Sequence, residues 1–188
     1  TDFAVSDLFV PKKRVMKMGA PRHPHPIYRL PTSHFGFGIA AVAVGIGLST
    51  VDALEALARS KKLPPPRGSL ADQHSVQYAV GKARALVEEA HITSRDAGVR
   101  VWNEVCENGE ASMGARARLR RALIHAVDSC TEAVSLCYRE AGGSAVFESA
   151  PFERALRDIH AIGGHAVVQR AMMQDAGRCA LGMKALSP

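Results

Sequence analysis

"LRRALIHAVDSCTEAVSLC", Leu119 to Cys137, is the stretch of sequence that decides the fold class. Its apolar residues recur at spacings of three and four, at Leu119, Leu123, Ala126, Cys130, Ala133 and Cys137. That period places them along one face of an α-helix, with polar residues on the other face. An apolar face of this kind has to be buried against neighbouring helices. The stretch therefore predicts a helical bundle.

Two other stretches extend the helical pattern over most of the chain. One repeats the same spacing at Val76, Val80, Ala83, Val87 and Ala90. The other, Phe35 to Ala58, is apolar nearly all round, which predicts a central helix buried on every side. Because the connections are short, we expect an all-α antiparallel bundle of four long helices and a shorter one over residues 32–188.

Three local signals mark the ends of these helices. Ser69 followed by Asp72 is typical of a helix start. Gly142 stands where a helix would end on a residue of positive φ. Pro151 suits the first turn of the next helix.

The first thirty-one residues have a different pattern. "FAVSDLFVP" alternates apolar and polar residues like a strand, and "GAPRHPHPIYRLPTS" contains prolines that prevent regular structure. We expect residues 1–31 to be the tail of a preceding structural unit and a proline-rich linker, ahead of the helical domain 32–188.

Composition indicates one main globular domain, with 47% hydrophobic and 22% charged residues in 188. The net charge is +6, but the basic residues are dispersed and only 5% of residues are aromatic, which argues against a nucleic-acid partner. The uncharged run Phe35 to Val51 is short for a bilayer and rich in glycine, so a core helix is expected rather than a membrane span.

The cysteines and histidines do not form a recognisable metal motif. Four cysteines without a close pair, Cys106, Cys130, Cys137 and Cys179, predict buried, reduced thiols in a cytoplasmic protein. His23 and His25 lie in a proline-rich loop without further ligands, so no metal site is expected. "GFGIAA", Gly36 to Ala41, matches a loose dinucleotide fingerprint but does not follow a buried strand, and small residues for close helix packing are the preferred interpretation.

Three segments resemble the acyl-CoA dehydrogenase fold, and most of all its branch of two-component flavin-dependent monooxygenases. They are "AGGSAVFESAPFERALRDIHA" (141–161), "VSDLFVP" (5–11) and "LADQHSVQYAVGKARALVEEA" (70–90). The resemblance implies a C-terminal helical domain that follows the end of a β-domain, in a protein that hydroxylates a small aromatic molecule. It also implies reduced flavin, FAD or FMN, from a separate reductase, no metal cofactor, and a homo-oligomer, expected to be a tetramer.

The same resemblance assigns site residues. Gly142 and Gly143 would be the turn by which a neighbouring subunit approaches the flavin, since glycine lets backbone amides come close. Gln73 would lie near the contact between subunit and flavin.

One position separates the branches of this fold. Dehydrogenases commonly place a catalytic glutamate nine residues after the arginine of the Arg-Asp pair; here Arg157 leads to Ala166, which cannot accept a proton. His165, one residue earlier, matches the histidine that the monooxygenases present to flavin. An imidazole can hold a hydrogen bond there or take a proton from a phenolic substrate. Two alternatives stay open: a dehydrogenase-like FAD oxidoreductase, and a helical oligomerisation domain without activity of its own.

Overall fold

Five α-helices make up most of residues 3–15 and 23–184, the part of the chain that the computed structural model describes. They are α1 (Gly36–Ser60), α2 (His74–Asn108), α3 (Met113–Ala141), α4 (Phe152–Gly163) and α5 (Met173–Ala180). The prediction of an all-α bundle is confirmed. The lengths differ from the prediction, however, because three helices are long and two are short. Glycine costs helix stability, and α4 stops at the pair Gly163 and Gly164 after only 12 residues.

Polar contacts between helix ends show how α2 and α3 are oriented relative to each other. Ser75 at the start of α2 donates to Glu140 at the end of α3, with 2.8 Å between Oγ and Oε2. Near the start of α3, Glu104 accepts from the Ser112 N–H at 2.7 Å. Helix α2 therefore runs antiparallel to α3, as predicted from the short connection.

The core lies along the predicted stripe of α3. Leu119, Leu123, Ala126, Cys130, Ala133 and Cys137 are all at most 1% exposed. Ala83, Val87 and Ala90 of the α2 stripe are fully buried against them, whereas Val80 is partly exposed. The spacing of three and four thus identified the two faces that pack together.

Helix α1 differs from the prediction of a helix buried on all sides. One face packs into the core through Ala43, Val51 and Leu54, each fully buried. The other face is open, with Val42 55% exposed and Phe35, just before the helix, 75% exposed. Among the described residues, no element packs over this face. Thr32–Ser60 is also the one described stretch long and apolar enough to cross a membrane, which is weak evidence because core helices meet the same criterion.

The predicted signals at helix ends take these forms. The Ser69 N–H and hydroxyl both donate to the Asp72 carboxylate at 2.7 Å, but this box opens a 3₁₀ turn, Leu70–Asp72, and α2 begins at His74. Gly142 follows α3 with φ +58° and ψ −138°. Pro151 is the N-cap residue of α4.

Three sequence predictions need correction. Residues 3–10 form no strand in the described chain and are exposed, because a strand needs a partner and this part of the chain offers none. Cys130 and Cys137 are buried thiols as predicted, but Cys106 is exposed and Cys179 half-buried. Gly36 is closely packed, since an added Cβ would lie 3.1 Å from Leu123 Cδ1, whereas Gly38 has open space around it.

Candidate functional site

His165 lies in the exposed loop that follows α4. Its backbone N–H donates to the Ile162 carbonyl at 2.9 Å and its carbonyl accepts from the Val168 N–H at 3.0 Å, so the loop is a tight turn. The imidazole itself is exposed, and Nδ1 accepts a long hydrogen bond of 3.4 Å from the Val167 N–H. Ala166 beside it is exposed as well. An imidazole is therefore available at this surface, and a carboxylate is absent from the adjacent position.

The His165 loop is held against the start of α1 and the middle of α3. Val168 is 2% exposed, and a Cβ added at Gly36 would lie 3.3 Å from Val167 Cγ2. Arg170 adds an ion pair, with its Nε 2.9 Å from Asp128 Oδ1. Val167 and Val168 thus pack the turn against the bundle and leave the imidazole exposed to solvent.

Gly142 and Gly143 lie at the opposite end of the bundle, where α3 ends. No atom outside the turn comes within 4 Å of a Cβ added at either glycine, so the turn is open to a ligand or another chain. The Lys61 ammonium donates to the Ser144 hydroxyl at 2.8 Å. This places a positive charge beside the open turn.

Lys61 was not among the candidate residues identified in the sequence. It is 83 positions from Ser144, so no local pattern connects them. The turn, its accessible backbone and the neighbouring ammonium form a surface suited to an anion such as a phosphate.

Gln73 lies at the same end as the glycine turn, because the start of α2 contacts the end of α3 through Ser75 and Glu140. Its side-chain amide donates to the carbonyls of Arg67 (2.9 Å) and Ser69 (3.2 Å). The NH₂ group is therefore engaged in closing the loop between α1 and α2, and the side chain is only half-exposed.

The predicted site residues fall into two groups that one chain does not bring together. The His165 loop packs beside Leu123, whereas the glycine turn follows Ala141, and 18 residues of helix between them span about 27 Å at 1.5 Å per residue. Helix α1 gives a consistent separation, since Gly36 lies at the His165 end and Lys61 at the glycine end.

A further cavity of about 300 Å³ opens on α3. It is lined by Leu86, His125, Asp128, Ser129, Thr131, Glu132, Ser135 and Arg170. His125 Nε2 lies 3.5 Å from Ser129 Oγ. His125 lies at an exposed position of this cavity.

The remaining charged residues near α4 form helix-surface ion pairs. Asp158 pairs with Arg154, at 3.5 Å, and Arg157 pairs with Glu153, at 3.1 Å. Pairs of this kind contribute little to stability. Within residues 3–15 and 23–184, no group of three or more His, Cys, Asp or Glu side chains is placed to hold a metal ion.

Comparison with known proteins gives concordant results. A family model described as "Acyl-CoA dehydrogenase, C-terminal domain" matches residues 37–170. Indole-3-acetate monooxygenase of Acinetobacter baumannii is 26% identical over 185 residues, which are 97% of this chain and 48% of that protein. Pigment production hydroxylase of Rhodococcus erythropolis is 26% identical over 179 residues, 88% of this chain and 44% of that protein. The chain thus spans about half the length of the curated relatives it matches.

A solved structure shares the fold. XiaF from a Streptomyces species, in complex with FADH2 and glycerol, superimposes with a TM-score of 0.84 at 19% identity. The match covers 97% of this chain and 49% of XiaF. At this identity the likeness concerns the fold.

Proposed function

The chain belongs to the family of acyl-CoA dehydrogenase C-terminal domains, and from that premise we propose that it is the helical half of a flavin-dependent monooxygenase. The whole enzyme uses reduced flavin and O₂ to hydroxylate a small aromatic substrate. The relatives of similar sequence are named as a monooxygenase and a hydroxylase, which supports this branch of the family. The observation that carries the proposal is the exposed His165 imidazole next to Ala166, where a dehydrogenase would need a carboxylate.

On this proposal, two groups of described residues would contact the flavin. Reduced flavin, when bound, supplies the electrons and the reaction with oxygen, and XiaF, which shares the fold, is in complex with FADH2. The His165 loop would face the ring, and Gly142, Gly143 and Lys61 would face a phosphate group, with Gln73 nearby. FAD or FMN would come from a separate reductase, and no metal is proposed.

The hydrogen bond at His165 Nδ1 favours one tautomer of the neutral imidazole. Because Nδ1 accepts from the Val167 N–H, the proton of a neutral imidazole lies on Nε2. The exposed nitrogen is then a hydrogen-bond donor. This arrangement favours a role in which His165 donates to an oxygen atom, more than one in which it removes a proton from the substrate.

A complete site would need two copies of the chain. His165 and the glycine turn are about 27 Å apart along one bundle, so the turn would approach a flavin bound at the His165 loop of a neighbouring subunit. We therefore propose a homo-oligomer, a tetramer in the simplest form, in the cytoplasm. The open face of α1, with Val42 and Phe35 exposed, would be covered by the remainder of the polypeptide.

Substitution of His165 tests the proposal. In the whole polypeptide supplied with reduced FAD or FMN and O₂, we expect His165→Ala to lower hydroxylation of indole-3-acetate or a simple phenol by about 100-fold. Oxygen consumption should continue and release hydrogen peroxide in place of product. The matched control is His160→Ala, one turn earlier and also exposed, which should retain product formation.

Three results would contradict the proposal. Undiminished hydroxylation by the His165→Ala protein would remove the imidazole from the site. A protein that is purified yellow with tightly held FAD and oxidises acyl-CoA would instead establish the dehydrogenase alternative. If the whole polypeptide binds no flavin at all, the helical oligomerisation domain is the function that remains.

A further inference from the structure

Helix α5 is joined to α3 by a buried ion pair. Asp175 of α5 is 5% exposed, and it is the one charged side chain among the buried residues of 3–15 and 23–184. Its carboxylate accepts a hydrogen bond from the guanidinium of Arg120 on α3, whose side chain is 14% exposed. The two residues are 55 positions apart in the sequence. The mechanism proposed above does not use this pair.

The ion pair sets the register of α5 more than apolar packing does. The helix has eight residues, too few to be stable without contacts to the rest of the protein. Asp175 and Ala176 are its buried residues, so apolar burial alone supplies little area. An apolar contact can slide or rotate, whereas a hydrogen bond between arginine and carboxylate fixes both direction and distance.

The His165 loop leads directly into α5. The Val168 N–H donates to the His165 carbonyl at 3.0 Å, and the 3₁₀ turn Arg170–Met172 continues without a break into the helix. Ten positions of hydrogen-bonded chain thus separate His165 from Asp175. A shift of α5 along α3 would therefore be transmitted to the loop.

Arg120 also lies close to the loop across α3. It precedes Leu123 by three residues, which is about one turn of helix. A Cβ added at Gly36 would lie 3.1 Å from Leu123 Cδ1 and 3.3 Å from Val167 Cγ2, so Leu123 is part of the surface on which the loop packs. The ion pair therefore holds the chain one turn away from that surface.

Stability alone is a weak explanation for the pair. Burial removes water from both charges, and this cost is often as large as the attraction between them, so apolar residues can replace a buried ion pair without loss of stability. The other ion pair near the loop, between Arg170 and Asp128, has side chains 79% and 38% exposed and is weakened by solvent. The buried pair supplies a fixed position, and a side chain that acts in catalysis has to be held to within about 0.5 Å.

We propose that Arg120 and Asp175 are positioning residues for His165, because their ion pair fixes α5 on α3 and thereby fixes the loop that carries the imidazole. The catalytic consequence rests on the function proposed above. The effect on the loop does not, since it can be measured without flavin.

Hydrogen exchange of the whole polypeptide without flavin tests the effect on the loop. Asp175→Asn keeps the shape of the side chain and removes its charge, and we expect amide exchange over residues 163–172 to become about tenfold faster. The matched control is Asp96→Asn, which breaks an exposed ion pair of 3.4 Å with Arg118, two residues from Arg120, and should leave the loop unchanged. Wild-type exchange over residues 163–172 in Asp175→Asn, or equal acceleration in both variants, would overturn the proposal.

An apolar replacement of both residues separates positioning from stability, and it also serves if Asp175→Asn does not fold. Arg120→Met combined with Asp175→Leu leaves neither charge of the pair buried, so its urea midpoint should stay close to that of the wild type. With reduced flavin and O₂, the product formed per O₂ consumed should fall about tenfold, while flavin affinity and the rate of oxygen consumption stay unchanged. Wild-type coupling of product to oxygen, or failure of both variants to fold, would assign the pair to stability and overturn the proposal.

The His165→Ala protein distinguishes a failure of this proposal from a failure of the proposed function. If His165→Ala hydroxylates like the wild type, the proposed function is wrong. The exchange comparison of Asp175→Asn with Asp96→Asn still decides whether the ion pair positions the loop.

Discussion

Gly142 has a backbone conformation that only glycine adopts without strain. Its φ of +58° and ψ of −138° lie outside the regions open to residues with a Cβ. The strain therefore comes from the backbone, because no neighbouring atom would obstruct a methyl group there.

We expect Gly142→Ala to lower the free energy of unfolding by about 1–3 kcal/mol, the usual cost of a residue held in a sparsely populated conformation. Urea denaturation measures the change. Gly143→Ala is the matched control, since Gly143 has equally open surroundings without a positive φ, and it should cost much less. Equal losses at the two positions would show that φ is not the cause.

His34 provides a pH dependence at the residue scale. It stacks on Phe37 with 6.0 Å between ring centroids, and its Nδ1 is buried without a hydrogen-bond partner in the described chain. Burial lowers the pKa of this imidazole below its ordinary value of 6.5. The unfolded chain therefore takes up the proton first as the pH falls.

The contribution of His34 to stability is complete above pH 6.5 and is lost as the pH falls through the lowered pKa. We expect His34→Phe, which keeps a ring against Phe37, to reduce the slope of unfolding free energy against pH below 6.5. Denaturation at a series of pH values measures both slopes. Parallel curves for the two proteins would exclude His34 as a source of acid sensitivity.

At the scale of single helices, two glycines of α1 make a direct test of packing. A Cβ at Gly47 would lie 2.8 Å from Val87 Cγ2, which is too close, whereas a Cβ at Gly45 would meet nothing within 4 Å. Gly47→Ala should therefore destabilise the fold by about 1–3 kcal/mol through overpacking against α2. Gly45→Ala should stabilise it by up to about 1 kcal/mol because alanine is the better helix former. Thermal or urea unfolding measures the change in unfolding free energy for each variant. A change of the same sign in Gly47→Ala and Gly45→Ala would refute the packing explanation.

The helices could be predicted to the extent that their patterns are local. The spacing of Leu119 to Cys137 identified a face that is completely buried, and Ser69 with Asp72 identified a helix start within a few residues. The open face of α1 could not be predicted, because an all-apolar helix has the same sequence whether this chain or another part of the protein covers it.

At the scale of the whole molecule, the separation between His165 and Gly142 is the main result about the site. The residues themselves were found by resemblance in the sequence, and their roles stay predictions. His165 and Gly142 lie at opposite ends of the bundle because α3 and α4 lead the chain there. A local sequence motif contains no information about that path. The proximity of Lys61 to the glycine turn could not be predicted from the sequence for the same reason, since only the fold brings Lys61 to Ser144.

Mixing two inactive proteins tests whether sites are shared between subunits. If His165 of one copy and the glycine turn of another complete one site, His165→Ala and Gly142→Val proteins that are refolded together should regain about a quarter of wild-type activity, because random pairing leaves a quarter of the sites with both native parts. The measurement is product formation after mixing, with each variant refolded alone as the control. Activity that stays at the level of the separate variants would place both groups within one subunit's site.

The length of α1 has a consequence for the proposed shared site. A straight helix keeps the His165 loop and the glycine turn of one chain at opposite ends, so a site built from both would exist only in associated subunits. On the proposal, specific activity should therefore fall when the protein is diluted below the dissociation constant of the oligomer.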